Sequence, residues 1–190
     1  MRKPSIRRLR FRNASRNAAR FSRATASRHA TNLGHARHPM ISARNTDRVP
    51  CSTALACPVV RVLLLVNATA SSVTARKRVV IQKALGADHD LEVVETSRRG
   101  HAARLALGAA NDGTEVVAVL GGDGTLNEAA DGLVGSETAL APLPGGSTNV
   151  YARTIGIARD PVDATAQLLG SLERHTFQRV GLGCVNGRHF

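Results

Sequence analysis

The stretch Val116-Val117-Ala118-Val119-Leu120-Gly121-Gly122-Asp123-Gly124-Thr125-Leu126-Asn127-Glu128 constrains the fold of this chain more than any other. Its first residues form a short apolar run of the kind that makes a buried strand, and the glycines that follow end it abruptly. From Thr125 onward, Leu126, Ala129, Ala130, Leu133 and Val134 recur at the spacing of one buried helix face. A strand that feeds a helix through a glycine turn leaves backbone N–H groups converging at the helix N-terminus.

Such a turn suits a phosphate. Gly121, Gly122 and Gly124 can take positive φ and let a ligand approach the main chain. The free N–H groups and the helix dipole favour an anion there. Asp123 is the odd member, because a carboxylate repels phosphate; a hard cation such as Mg²⁺ bridging the two would account for it. The competing structural reading is a tight turn in which Thr125 caps the helix and Glu128 closes a capping box. Glu128 is expected to take that structural role, and the three glycines with Asp123 to bind phosphate.

The flanking sequence extends the alternation. Strands are expected at 59–66, 91–96, 115–120 and 138–143. Helices are expected at 73–85, at 101–111, from Thr125, in a short segment to 154 capped by Ser147 or Thr148, and at 161–169. The run 59–66 is almost continuously apolar, as in strands buried on both faces of a parallel sheet. The expected fold is therefore α/β, an open parallel sheet with helices on both faces. Ligands of such sheets lie beyond the carboxyl ends of the strands. Asn67, Thr96, the turn at 121–127 and the loop Gly145-Gly146-Ser147-Thr148-Asn149 all fall at those ends. Residues 175–190 read as two strands, with Asn186-Gly187 a hairpin turn.

The formal net charge of +12 is unevenly spread. Residues 1–50 carry 13 Lys and Arg against Asp47 alone, whereas the remainder balances 13 against 13. The basic character belongs to the N-terminal stretch, and no specific nucleic-acid binding is implied for the α/β part. Residues 1–58 are rich in Arg, Ser, Ala and Asn without sustained apolar periodicity, which is expected of a disordered tail. A mitochondrial presequence, a basic arm for anionic lipid or nucleic acid, and an over-extended reading frame restarting at Met40 are the rival readings of this stretch. Cys51, Cys57 and Cys184 form no Cys-x-x-Cys pair, so neither a disulfide framework nor a zinc site is implied.

Two common nucleotide motifs fail. No Gly-x-x-x-x-Gly-Lys-Ser/Thr occurs, and Lys3, Lys77 and Lys83 are the only lysines. Asn127 stands where a dinucleotide fingerprint needs its third glycine. What remains is a phosphate site made of backbone amides and a carboxylate–metal pair.

Gly121-Gly122-Asp123-Gly124-Thr125 with Asn127-Glu128, followed by Pro144-Gly145-Gly146-Ser147-Thr148-Asn149-Val150-Tyr151-Ala152-Arg153, resembles the catalytic domain of the diacylglycerol kinase and lipid kinase family. Thr96 with Gly100-His101-Ala102, and Val66-Asn67, match two further loops of that family. The first motif is shared with NAD kinases; the second, at this spacing, favours lipid kinases. The resemblance covers 59–190 and implies ATP and Mg²⁺ as ligands. It implies that Asn67, Thr96, Gly121, Gly122, Asp123, Gly124, Thr125, Leu126, Asn127, Gly146, Ser147 and Asn149 bind ATP, with Asp123 reaching the metal through phosphate. It further implies γ-phosphoryl transfer to a lipid hydroxyl, such as that of diacylglycerol, by a cytoplasmic enzyme peripheral to a membrane surface.

Three positions depart from the family pattern: Ala68 replaces a proline, Ser71 stands near a glycine position, and Ser147 replaces a threonine. Family members continue into a β-rich second domain that carries the acceptor site and the general base. Residues 59–172 are accordingly expected to be the ATP-binding domain and 173–190 the start of a truncated second one, with the base unassigned. An NAD-kinase-like phosphotransferase and a non-catalytic nucleotide-binding fragment are the alternatives, and a homodimer through the hairpin edge is left open. Arg98 and Arg99 lie at the ligand edge, where phosphate or an anionic membrane is one reading and solvated loop charge the expected one; His101 is expected to pack at a helix start. His89, His175 and His189 share no metal-ligand spacing.

Overall fold

The computed structural model describes residues 59–70 and 73–189, together with the backbone of 7–11. The expectations for Met40, Cys51, Cys57 and Ser71 lie outside the described residues. In chain order the elements are β1 (Arg7–Phe11), β2 (Arg61–Val66), α1 (Ala75–Leu85), β3 (Asp90–Glu95), α2 (His101–Asn111), β4 (Val116–Gly121), α3 (Asp123–Gly132) and β5 (Ala139–Pro144). These are followed by α4 (Val150–Thr154), α5 (Pro161–Glu173), β6 (Gln178–Leu182), β7 (Cys184–Val185) and β8 (Arg188–His189).

The six-stranded sheet has the order β3-β2-β4-β5-β1-β6. Its first four strands are mutually parallel, in the register Leu64↔Val93, Leu64↔Ala118 and Ala118↔Ala141. Each central strand is apolar throughout because it feeds two cores. Val62, Leu64 and Val66 of β2 face one core with α1 and α5, while Leu63 and Leu65 face the other with α2 and α3. β4 divides its residues in the same way, with Leu120 on one side and Val119 on the other. This is the expected α/β sheet with helices on both faces.

Two strands depart from expectation. Residues 7–11 fall in the stretch read as a disordered tail, yet they form β1, parallel to β5 and antiparallel to β6. β6 lies in the segment expected to begin a second domain, and it joins this sheet through β1. The Asn186-Gly187 turn forms as expected: φ is 51° and 78° at the two positions, and β7 pairs antiparallel with β8. Two positive φ angles in succession are what the right-handed twist of a tight hairpin requires.

Helix starts differ more than helix bodies. α3 begins at Asp123 with Gly122 as its N-cap, two residues before Thr125, and has no side-chain capping bond. The Thr125–Glu128 capping box therefore does not form. α4 is preceded by Asn149 in the left-handed region, not capped by Ser147 or Thr148. α5 starts as expected at Pro161, where Asp160 accepts from Val162 N at 2.8 Å, and runs to Glu173.

Asp160 also accepts from Lys77 Nζ of α1 at 2.6 Å, which ties the two helices on this face. The Lys77 ammonium, and after it the Val162 amide, holds the Asp160 carboxyl below its usual range. A depressed pKa contributes stability that is present above the unfolded value and is lost as pH falls through the folded one. Asp160→Asn should therefore flatten the acid limb of a plot of melting temperature against pH, below about pH 4, and leave the neutral and alkaline limbs parallel to wild type.

Candidate functional site

The carboxyl ends of the four parallel strands are tied into one edge. The ladder continues past the strands: Asn67 N donates to Leu120 O, Thr96 N to Val66 O, and Gly145 N to Gly121 O, each at 2.9 Å. Beside this edge lies a cavity of about 860 Å³. Its wall includes Asn67, Thr96, Gly124, Thr125 and Asn127, all of which the family resemblance implies in nucleotide binding.

Asn67 organises one side of it. Its Nδ2 donates to Thr125 Oγ1 at 3.0 Å, and its Oδ1 accepts from Thr69 N at 3.0 Å and from Thr69 Oγ1 at 2.7 Å. One amide side chain thus fixes both its own loop and the first turn of α3. The N–H groups of Asp123, Gly124 and Thr125 open α3 without intrahelical partners. Leu126 N is the first to bond inside the helix, to Gly122 O at 3.1 Å. This is a ten-residue helix whose start has no side-chain cap, next to a cavity.

The remaining predicted residues lie elsewhere. Leu126 is buried in the core between α2, α3 and the sheet. Gly121, Gly122, Asp123 and Asn149 line a small crevice between the two glycine loops, not the large cavity. Asn149 folds its own loop, accepting from Gly146 N at 3.0 Å and donating to Gly146 O at 2.6 Å. Ser147 is exposed and does not border the large cavity.

The glycines are required for a different reason than positive φ. None of Gly121, Gly122 or Gly124 has it, and Gly122 sits at φ −90°, ψ −179°. Close approach between the loops decides instead. A Cβ at Gly146 would lie 2.8 Å from Gly122 Cα, and one at Gly145 would lie 2.8 Å from Val73 Cγ2 and 3.0 Å from Gly121 N. At Gly121 it would press on Thr125 Cβ at 3.1 Å. At Gly124 it would meet nothing within 4 Å, so this glycine alone of the three in the motif faces open space.

Asp123 turns away from the cavity. Its Oδ2 accepts from Val150 N at 3.0 Å and Thr148 Oγ1 at 3.3 Å, and its Oδ1 from Tyr151 N at 3.2 Å. The carboxylate serves as the N-terminal cap of α4, supplied from another element. Among the described residues no group of three His, Cys, Asp or Glu could hold a metal. In this structure the Asp123 carboxylate bridges the two glycine loops. Asp123→Ala should remove about 1 kcal/mol of stability, and Asp123→Asn less, since Oδ1 can still accept from Tyr151 N; urea denaturation of the two variants measures the difference.

Sequence reasoning missed part of the wall. Arg98 and Arg99, placed at the ligand edge by the sequence but expected to be solvated charges, border the cavity, as do Glu128, Asp131, Arg188 and His189. His101 holds the neighbouring loop: Ser97 N donates to its Nδ1 at 3.1 Å, in line with the helix-start role expected of it. Of these, Glu128 belongs to the glycine motif and the Arg98-Arg99 pair follows the second strand directly, whereas Asp131, Arg188 and His189 carry no local signal.

Comparison with known proteins gives one answer. The family model of the diacylglycerol kinase catalytic domain matches residues 61–180. The protein named "Probable lipid kinase YegS-like" from Pseudomonas aeruginosa (strain UCBPP-PA14) is 35% identical over 130 residues, which are 67% of this chain and 41% of that protein. The diacylglycerol kinase of Bacillus subtilis (strain 168) is 30% identical over 135 residues, covering 68% of this chain and 43% of the relative. A crystal structure of a diacylglycerol kinase from Bacillus anthracis str. Sterne superposes with a TM-score of 0.61 at 30% identity, covering 68% of this chain and 45% of that one. The chain thus spans less than half the length of these relatives. With its parallel sheet, its two facing glycine loops and this sequence match, it belongs to the diacylglycerol kinase catalytic domain family.

Proposed function

We propose that this chain binds ATP in the cavity at the carboxyl edge of the sheet and works in phosphoryl transfer to a lipid hydroxyl, as in diacylglycerol. The observation that supports this best is the uncapped start of α3 beside that cavity, with Gly124 open to it. The amides of Asp123, Gly124 and Thr125 would hold phosphate oxygens, and Thr96 and Asn127 would orient the nucleotide from the wall. Loose phosphoryl-transfer transition states need alignment and charge neutralisation more than covalent help, which fixed amides supply without reorganisation.

The donor set suits a cation carried in by the nucleotide better than one caged by protein. Mg²⁺ commonly takes one or two carboxylates plus substrate phosphates. Glu128, which borders the cavity and has no ion pair among the described residues, is the carboxylate that would meet it. Bound there, Mg²⁺ would neutralise charge on the phosphate oxygens. A lipid acceptor would be met at a bilayer surface, and none of the described helices is long and apolar enough to cross one.

Isothermal titration of the chain with Mg-ATP tests the binding step. A phosphorylation assay with labelled ATP and diacylglycerol-containing vesicles tests transfer. Absence of heat with Mg-ATP would overturn the reading. Labelling of NAD in place of lipid would move the chain to another acceptor class.

A further inference from the structure

Part of the cavity wall comes from outside the glycine motifs. The β7–β8 hairpin lands on α3, the same helix whose N-terminus opens beside the cavity. His189 N donates to Asp131 Oδ1 at 3.1 Å, and His189 Nδ1 lies 2.7 Å from the same oxygen. The neighbouring residue, Arg188, borders the cavity. It stands on a two-residue strand fixed by the Val185↔Arg188 and Cys184↔His189 pairs and by the tight turn at Asn186-Gly187.

The charge on this wall has a definite sign. Arg98, Arg99 and Arg188 border the cavity and are exposed, and none of the three has an ion pair among the described residues. Against them stand Glu128 and Asp131, the latter already bonded to His189. A lone phosphate would be served by the amides of α3. Three unpartnered guanidinium groups, contributed by two separated segments, fit a longer and more highly charged anion. Guanidinium forks bind phosphate oxygens in pairs and keep their charge at every working pH.

We propose that Arg188 contacts the outer phosphates of a bound nucleoside polyphosphate, and that the Asp131–His189 bond is the latch that positions it. This rests on the ATP reading above. The arginine is the binding residue; Asp131 and His189 act through it.

Titration calorimetry of the full chain with Mg-ATP and with AMP tests both parts, with thermal melts as folding controls. Arg188→Gln should weaken Mg-ATP about tenfold and leave AMP unchanged, while Arg188→Lys recovers part of the loss. Asp131→Ala should reproduce part of the Mg-ATP defect. Its hairpin amides, 184–189, should exchange hydrogen faster in the nucleotide-free chain. If wild type binds Mg-ATP and Arg188→Gln binds it equally well, the Arg188 role is overturned and the ATP reading stands. If wild type binds no Mg-ATP, both fall together. Should Arg188→Gln spare Mg-ATP but reduce co-sedimentation with phosphatidate-containing vesicles, the guanidinium serves a lipid phosphate and the proposal is likewise overturned. Unchanged exchange in Asp131→Ala removes the latch.

Discussion

Gly132→Ala should be among the most disruptive single-methyl changes in the described part of this chain. The added Cβ would collide with Ala103 O and lie 3.0 Å from Ala103 C and 3.1 Å from Ala103 Cα. All three are backbone atoms of α2, so no rotamer change relieves the clash and the helices must separate. They are close because the residues between them are small: Ala102, Ala106 and Ala109 of α2 pack with Ala129 and Ala130 of α3 in one core. Prising them apart loosens that whole core. Overpacking against rigid atoms puts the loss at about 3 kcal/mol, less the gain of up to about 1 kcal/mol that alanine brings to a helix. The melting temperature should fall by several degrees, on the order of 2–4 °C for each kcal/mol. Gly108→Ala is the matched control. It lies within α2 with nothing within 4 Å of its Cβ, and it should stabilise by up to about 1 kcal/mol. If the two variants melt together in guanidinium titrations, α2 and α3 do not approach as closely as described.

The parts of the fold legible in the sequence are those where local pattern and tertiary role coincide. β2, β4 and β5 read as strands because burial on both faces demands unbroken apolar runs, and each lies within about two residues of its expected position. α2 occupies the expected residues, His101–Asn111. Gly100, at φ 77°, and Gly113, at φ 78°, punctuate it, and its inward alanines keep helical spacing.

What escaped was set by residues far apart in sequence. Thr125 looks like a helix cap locally, but Asn67 holds its hydroxyl from 58 positions away, and α3 starts two residues earlier. Nothing near Asp123 in the sequence announces its bonds to the amides of Val150 and Tyr151, which form only once α4 is brought beside it. The glycines show the same division between local and tertiary cause. Their freedom in φ is a local property, whereas the contact between Gly122 and Gly146 exists only once two loops meet. The same holds for β1, five residues of Arg7-Arg8-Leu9-Arg10-Phe11 whose strand character comes from pairing with β5 and β6. The hairpin at Asn186-Gly187 was legible, but its landing on Asp131 was not.

Gly124→Val should leave the melting temperature close to wild type and remove most Mg-ATP binding. Its backbone is the second residue of α3, among the N–H groups without intrahelical partners, and it borders the large cavity. It lacks positive φ, so a side chain introduces no backbone strain, and its Cβ would meet nothing within 4 Å. The fold thus gives no reason for glycine at this position. A ligand does: an isopropyl group placed over the amides would keep phosphate oxygens beyond hydrogen-bond reach. Loss of two charge-assisted amide–phosphate bonds corresponds to a reduction in affinity on the order of a hundredfold, readable by calorimetry. Gly121→Ala and Gly146→Ala, by contrast, press on Thr125 Cβ at 3.1 Å and Gly122 Cα at 2.8 Å. They should lower stability and binding together, because the loops themselves must shift. Separation of the two readouts at Gly124, and their coupling at Gly121 and Gly146, would mark which glycine makes room for a ligand and which make room for each other. Wild-type affinity in Gly124→Val would place the bound phosphate away from the start of α3 and withdraw the main support for the proposed function.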